Sequence, residues 1–263
     1  MSNISRIHLT TWPAADLARA LRTNDVVVCT ASLLHGPDEL HSALGLLAAD
    51  EQKRYEELLN PIVARRFAIG RLRLRTTLGN LLCVAPRDVR LRSGLHGKPE
   101  LVPSAYPASL WFSVAHTDDV MLIAASRSSW VGVDIERRRS MEQWERLASR
   151  VLDASERQAL ERAVIGGGDP SSEFLRLWCR VEAELKAIGV GIVGLEAHRE
   201  GLRPLALRVM DLPVLPLPFV ADQAHYQAAV ALCAPSVASR RHNVAPMPEA
   251  SAPVMRPARA STP

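Results

Sequence analysis

The runs SLWFSVAHT (residues 109–117), DVMLIAAS (119–126) and WVGVDIE (130–136) follow one another with links of only a few residues. Each is rich in aliphatic, aromatic or β-branched residues and reads as a strand. Links this short leave no room for a βαβ crossover, which takes about a dozen residues or more, so the runs predict antiparallel neighbours. The flanking segments have helical period, so helices accompany these strands.

Upstream, DVVVCTASL (25–33) reads as another strand and two helical tracts cover about 37–59 and 61–82, with Phe67, Leu74 and Leu78 recurring at helical spacing in the second. LHGKPEL (95–101) reads as a turn. Downstream, Ser140 and Gln143 have the spacing of a capping box for a helix reaching about Leu152. DASERQALERA is a further helix, IGGGDPSS (165–172) a loop, and a long helix spans about 172–188. Strand-like LRPLALRVM and HYQAAVALC flank the Pro-rich DLPVLPLPF, and the Ala/Pro/Ser/Arg-rich stretch from Pro235 reads as disordered. LLAADEQKRYEELL followed by FAIGRLRLRTTLG echoes RVLDASERQALERA followed by FLRLWCRVEAELKAIG. The echo suggests two similar lobes, 1–127 and 128–234, with 235–263 as a tail. A chain of 263 residues with 48% hydrophobic content can bury one substantial core or two smaller ones.

The formal charge of +4 leans mildly toward acidic or phosphorylated partners. The N-terminus lacks a cationic start followed by an apolar run, and no stretch holds 18 uninterrupted apolar residues, so the chain reads as soluble and cytoplasmic. Cys29, Cys83, Cys179 and Cys233 are isolated from one another, which supports neither a zinc site nor a disulfide framework; four buried thiols are expected. The glycosylation-like triplet at Asn3 has no meaning without secretion.

In WVGVDIE the carboxylates of Asp134 and Glu136 are two residues apart and share one face of a strand. Taken alone, such a pair is a solvated strand edge. In an otherwise apolar strand two anions are costly, and a bound cation becomes attractive. Oxygen donors without nitrogen or sulfur favour Mg²⁺. On the long helix, Phe174, Leu177, Trp178, Val181, Leu185 and Ile188 form the apolar stripe, and Glu182 and Lys186, four apart, share a neighbouring face. By itself that pair is an ordinary ion pair; beside the two strand carboxylates Glu182 becomes a third metal ligand. Nine Lys or Arg against one acid between Arg65 and Lys98 form either a solvated face or an anion site, in which Arg71 and Arg75, one turn apart, could grip a phosphate. His116 is a further donor or a structural histidine. GVGIVG (189–194) matches a dinucleotide fingerprint by letter, but it follows a helix instead of a strand. GLHGKPE lacks the spacing of a P-loop.

GKPEL, FSVAHT, VGVDIE and FLRLWCRVEAELKA, in this order and spacing, resemble the 4'-phosphopantetheinyl transferase superfamily, specifically its larger type that modifies carrier proteins. The resemblance covers about residues 25–233. It implies an α+β fold of two similar α/β lobes related by a pseudo-twofold, mostly antiparallel sheets each with a long packed helix, and a monomer with coenzyme A and Mg²⁺ in the cleft between lobes. Asp134, Glu136 and Glu182 would hold Mg²⁺. Lys186 would contact the phosphates, while Lys98, His116, Arg71 and Arg75 would line the coenzyme A site. The implied activity is Mg-dependent transfer of 4'-phosphopantetheine to a serine of an apo acyl or peptidyl carrier protein of fatty acid, polyketide or nonribosomal peptide synthesis, with release of 3',5'-ADP. Glu182 and Lys186 are the implied catalytic residues, Glu182 as general base. Neither nucleic acid nor membrane is an expected partner. Where the family often has lysine, before the helix glutamate, this chain has Val181, on the apolar stripe. The competing readings are a non-catalytic relative that binds coenzyme A or a carrier, and a Mg-dependent phosphohydrolase or nuclease. The 5% aromatic content, not interleaved with the basic run, speaks against single-strand binding.

Overall fold

The long helices are framed the same way by sequence. In α4 (Pro61–Leu82), Asn60 caps the N-terminus by accepting from the backbone N–H of Ile62 at 2.9 Å, Pro61 occupies the first turn, and Cys83 ends the helix in the left-handed region. In α7 (Pro170–Ile188), Asp169 accepts from the N–H of Ser172 at 2.8 Å, Pro170 follows, and Gly189 closes the helix at φ 79°. A side-chain acceptor, a proline that has no N–H to orphan, and a left-handed terminus account for both helices.

The computed structural model describes residues 6–14, 16–94, 98–102, 105–106, 109–203, 207–212, 215, 217–219 and 226–234. The 235–263 tail, Asn3 and residues 95–97 of the LHGKPEL turn lie outside them. The first sheet has the order β1-β2-β6-β5, built from β1 (Ile7–Thr11), β2 (Val26–Ser32), β5 (Trp111–Thr117) and β6 (Val120–Ser126), with β1 parallel to β2 and the rest antiparallel. The second is antiparallel with the order β7-β9-β8: β7 (Trp130–Arg137), β8 (Leu207–Asp211) and β9 (Tyr226–Cys233). A small hairpin pairs β3 (Leu91–Ser93) with β4 (Pro99–Leu101). Helices α1 (Leu17–Thr23), α2 (Pro37–Leu44) and α3 (Ala49–Glu57) precede α4, while α5 (Trp144–Val151) and α6 (Ala154–Ile165) precede α7 and α8 (Leu195–Arg199) follows it. The fold is α+β. In the first sheet β2 is followed by α2–α4 and, after the β3–β4 hairpin, by β5 and β6, with β6 between β2 and β5. In the second β7 is followed by α5–α8, β8 and β9, with β9 between β7 and β8; β1 and the hairpin have no counterpart there among the described residues.

Alternation along the strands divides the interior. Val27, Cys29 and Ala31 of β2, with Met121, Ile123 and Ala125 of β6, face α4 and its neighbours. Val26, Val28, Leu122 and Ala124 face the other way and share one apolar layer with Val131, Val133 and Ile135 of β7 and with Val230 and Leu232 of β9. The opposite face of β9, with Ala229, Ala231 and Cys233, packs on Cys179, Ala183 and Ala187 of α7. Strands buried on both faces explain the continuous apolar runs.

Four expectations are corrected. β5 and β6 are antiparallel neighbours, but both edges of β6 are hydrogen-bonded, to β2 and β5, so β7 pairs with β9 in the second sheet. It lies against β5, where Ser113 Oγ accepts from Val133 N–H at 3.2 Å. The first helical tract is two helices, divided at residues 45–48. No capping box forms at Ser140; the box is one helix later, where Asp153 Oδ1 accepts from Glu156 N–H at 2.8 Å and Glu156 returns the bond to Asp153 N–H at 3.0 Å. Cys83 is exposed, because it ends α4 instead of entering the core.

Candidate active site

The sequence Val-Gly-Val-Asp-Ile-Glu sorts itself on β7. Val131, Val133 and Ile135 enter the layer between sheets, so Gly132, Asp134 and Glu136 share the face toward α7. Gly132 sets how near that helix comes: a β-carbon there would stand 1.9 Å from the carbonyl oxygen of Ala183 and 2.4 Å from the nitrogen of Ala187. A strand glycine opposite small helix residues lets backbone meet backbone, and Glu182 and Lys186 on α7 come to the β7 carboxylates.

Lys186 Nζ donates to Asp134 Oδ1 at 2.6 Å. Asp134 is buried, and its Oδ2 has no hydrogen-bond partner among the described residues. Burial pushes its carboxyl up to about 6 despite Lys186, and the charges of Glu182 and Glu136 add to the rise. The carboxylates of Glu182 and Glu136 are thus near enough to act on Asp134, whose ion-pair partner is the Lys186 ammonium. Glu136 is also paired with Arg139 at 3.0 Å. Beneath them burial, followed by the charges of Asp134 and Glu136, keeps the Cys179 thiol protonated; it donates to the carbonyl of Gln227 at 3.3 Å.

Two more predicted residues gather here. Lys98, on the β3–β4 hairpin, donates to the main-chain carbonyl of Lys186 at 2.9 Å, and burial pushes its ammonium down to about 8, with Glu100 opposing and Lys186 assisting. His116, at the end of β5, is held below its ordinary value by partial withdrawal from water and by the charges of Lys186 and Arg66. Arg71 and Arg75 turn instead to Glu51 on α3, at 3.3 and 2.7 Å, and Arg75, itself buried, also donates to the carbonyl of Val89 at 2.5 Å. The arginine of the basic run beside His116 is Arg66, which pairs with Asp119 at 2.8 Å.

The family profile described as the 4'-phosphopantetheinyl transferase superfamily matches residues 130–209, from the start of β7 into β8. The 4'-phosphopantetheinyl transferase HetI of Nostoc is 30% identical over 194 residues, 74% of this chain and 81% of HetI. The chain belongs to this superfamily. A second relative, slr0495 of Synechocystis, named as a proposed 4'-phosphopantetheinyl transferase, is 36% identical over 57% of this chain and 59% of its own length. The L-aminoadipate-semialdehyde dehydrogenase-phosphopantetheinyl transferase of Rattus norvegicus is 27% identical over 63% and 55% of the two chains. For slr0495 and the rat protein the match thus spans somewhat over half of the relative.

A member of the transferase superfamily calls for a divalent cation, and the residues fit one. Asp134 Oδ2 is a buried oxygen without a donor among the described residues, and all three side chains offer hard oxygen. Val181, where the family pattern often has lysine, packs with Ala148, Leu152 and Leu160 on the α5–α6 side, about 100° around α7 from Glu182. The change therefore enlarges the apolar core and leaves the carboxylate face as described. Sequence reasoning did not single out Gly132 or Arg66. Gly132 had a signal: a glycine in a β-branched strand, with Ala183 and Ala187 one turn apart on a partner helix. Arg66 had none that set it apart from its eight basic neighbours.

Proposed function

We propose that this chain transfers the 4'-phosphopantetheine moiety of coenzyme A to a serine of an apo acyl or peptidyl carrier protein and releases 3',5'-ADP. The observation that carries the reading is the buried Asp134 carboxylate bonded to Lys186, with the charges of Glu182 and Glu136 acting on it. In the reaction the serine Oγ bonds to the β-phosphorus, the bridging oxygen on the α-phosphate side leaves with 3',5'-ADP, and the serine proton goes to Glu182. Lys186, already fixed by Asp134, presents its ammonium to the pyrophosphate. Lys98 and His116 flank it as further donors, and Arg71, only partly held by Glu51, lines the coenzyme A site. Arg75, committed to Glu51 and Val89, holds α4 in place. Asp134, Glu136 and Glu182 would bind Mg²⁺, which supplies charge neutralisation on the pyrophosphate.

The shared strand order supports reading the two halves, 1–127 and 128–234, as duplicated lobes related by a pseudo-twofold, although they share one apolar layer. No helix among the described residues is long and apolar enough to cross a membrane. We place the protein in the cytoplasm as a monomer, acting on carriers of fatty acid, polyketide or nonribosomal peptide synthesis.

The test is incubation with coenzyme A, Mg²⁺ and a panel of apo carriers, reading intact carrier mass. A gain of one phosphopantetheine in the wild type and none in Glu182→Gln is the expected result. No gain on any carrier while coenzyme A still binds would leave a binding relative without transfer.

A further inference from the structure

On the far side of α7 from Asp134, a second cluster of charges is buried. Glu184 accepts from Arg203 Nε at 3.0 Å on Oε2 and at 3.2 Å on Oε1, and Oε1 also faces His198 Nδ1 at 3.2 Å. Arg203 continues to Asp153 Oδ2 and Glu156 Oε1, both at 2.5 Å, and His198 Nε2 meets Glu156 Oε2 at 2.9 Å. Glu184 and His198 are 3% and 2% exposed. The cluster joins the start of α6, the C-terminal part of α7, α8 and the segment after it. GVGIVG makes this closure: Gly189 and Gly191 take φ 79° and 59°, and the tight turn that follows sends the chain back along α7.

Asp153, Glu156 and His198 bring ligand atoms within 4.8 Å of one another, a spacing suited to a metal ion. The Arg203 guanidinium already bonds Asp153 and Glu156 and lies 3.1 Å from His198 Nε2, so a fixed cation stands in that space. The cluster is therefore a protein-internal device. As a source of stability it is a poor choice, since well-packed apolar residues commonly do as well as a buried ion network. What charges give that apolar contacts do not is direction.

Direction matters here because of where Glu184 sits. It is two residues from both Glu182 and Lys186, hence roughly 200° around the helix from each. On the sheet side α7 presents the small side chains of Cys179, Ala183 and Ala187 together with ion pairs from Arg176 and Arg180 to Asp211 and from Lys186 to Asp134, and the Glu184 cluster is the charged tie that holds the helix from the opposite face. A roll of about 20° would carry a carboxylate at the helix surface by about 2 Å. Misplacement by about 1 Å can cost about 100-fold in rate.

We infer that Glu184, His198 and Arg203 are positioning residues that set the roll of α7 and thereby the placement of Glu182 and Lys186 against Asp134. This rests on the transferase reading. The test compares Arg203→Lys, which keeps the charge but loses the fork, and His198→Gln with Leu160→Ala, which weakens the same α6–α7 contact without touching the cluster. Each variant is assayed well below its Tm for kcat, KM and Mn²⁺ affinity, the last from the free-ion EPR signal. The expected result is a loss of kcat of roughly 10- to 100-fold and weaker Mn²⁺ binding in the cluster variants, beyond anything in a Leu160→Ala protein of equal Tm. Equal losses in all three would make the cluster merely structural and overturn the inference. Should the wild type transfer nothing, the transferase reading fails. Mn²⁺ affinity then decides the inference by itself: weakened selectively in Arg203→Lys it stands, unchanged it falls.

Discussion

Lys186 and Asp134 are bonded at 2.6 Å across the α7–β7 contact, and that bond is the one offset to a carboxylate buried among two others. Removing the lysine isolates the charge. Lys186→Met should cost about 1–3 kcal/mol of stability, less than for a fully buried pair because the lysine is partly exposed, and should abolish transfer. Asp134→Asn in the Lys186→Met background should restore the stability and not the activity. Urea unfolding of the four proteins as a double-mutant cycle checks this; additive losses would show that the two groups are not coupled.

Gly132 is the contact on which the site geometry turns. The atoms that a β-carbon would meet are backbone atoms of α7 and cannot swing aside. Gly132→Ala should lower stability by about 1–3 kcal/mol through overpacking and should reduce kcat in the folded fraction as Glu182 and Lys186 are pushed from Asp134. Gly70→Ala is the control, since its β-carbon would meet only the side chains of Leu33 and Met121, at 3.8 Å. Circular dichroism melts together with transfer assays separate the two effects.

Much of this was legible in sequence because it is local. Pro61 marks the start of one long helix, and period-two alternation puts Asp134 with Glu136; the cap and proline at Asp169-Pro170 carry the same signal, but the glycines before them make the segment read as a loop to residue 172. The β7–β9 pairing was not legible, because register between strands far apart in the chain leaves no mark on either one. The edge strand IHLTT of β1, half-buried throughout, has too weak an apolar pattern to stand out. Arg71 and Arg75 show the limit on the site itself. Spacing says that two arginines share a helix face; only the fold shows that Glu51 meets them there.

His198 should make stability depend on alkaline pH. Burial alone would lower its value, but the hydrogen bonds it donates to Glu156 and Glu184, with their charges, outweigh burial and raise it from 6.5 to about 9. The folded state thus holds a proton that the unfolded chain releases. The contribution, on the order of 2–3 kcal/mol, is complete below pH 6.5 and is lost progressively as pH rises through about 9. Lys98 acts in the opposite sense above about pH 8, since burial lowers its folded value. The readout is therefore the difference between wild type and His198→Gln in urea unfolding at pH 6 and pH 9.5. It should shrink at the higher pH, and a constant difference would mean that His198 is neutral in the fold.

The two arginines of α4 should separate cleanly. Arg75 and Glu51 are 4% and 6% exposed at the side chain, so Arg75→Met leaves a buried carboxylate partnered, among the described residues, by Arg71 at 3.3 Å and by the Ala48 N–H at 2.9 Å. A loss of about 2–4 kcal/mol is expected, with the KM for coenzyme A within about twofold of wild type in the folded protein. Arg71 is more exposed, at 17%, and Glu51 keeps its shorter bond to Arg75 when Arg71 is removed. Arg71→Ala should therefore cost about 1 kcal/mol or less while raising the KM for coenzyme A roughly tenfold, the worth of one charge-assisted phosphate contact. Thermal melts and initial rates on the same preparations distinguish the roles. A raised KM with an unchanged Tm in Arg75→Met would return Arg75 to the coenzyme A site and show that its bond to Glu51 opens when the nucleotide binds.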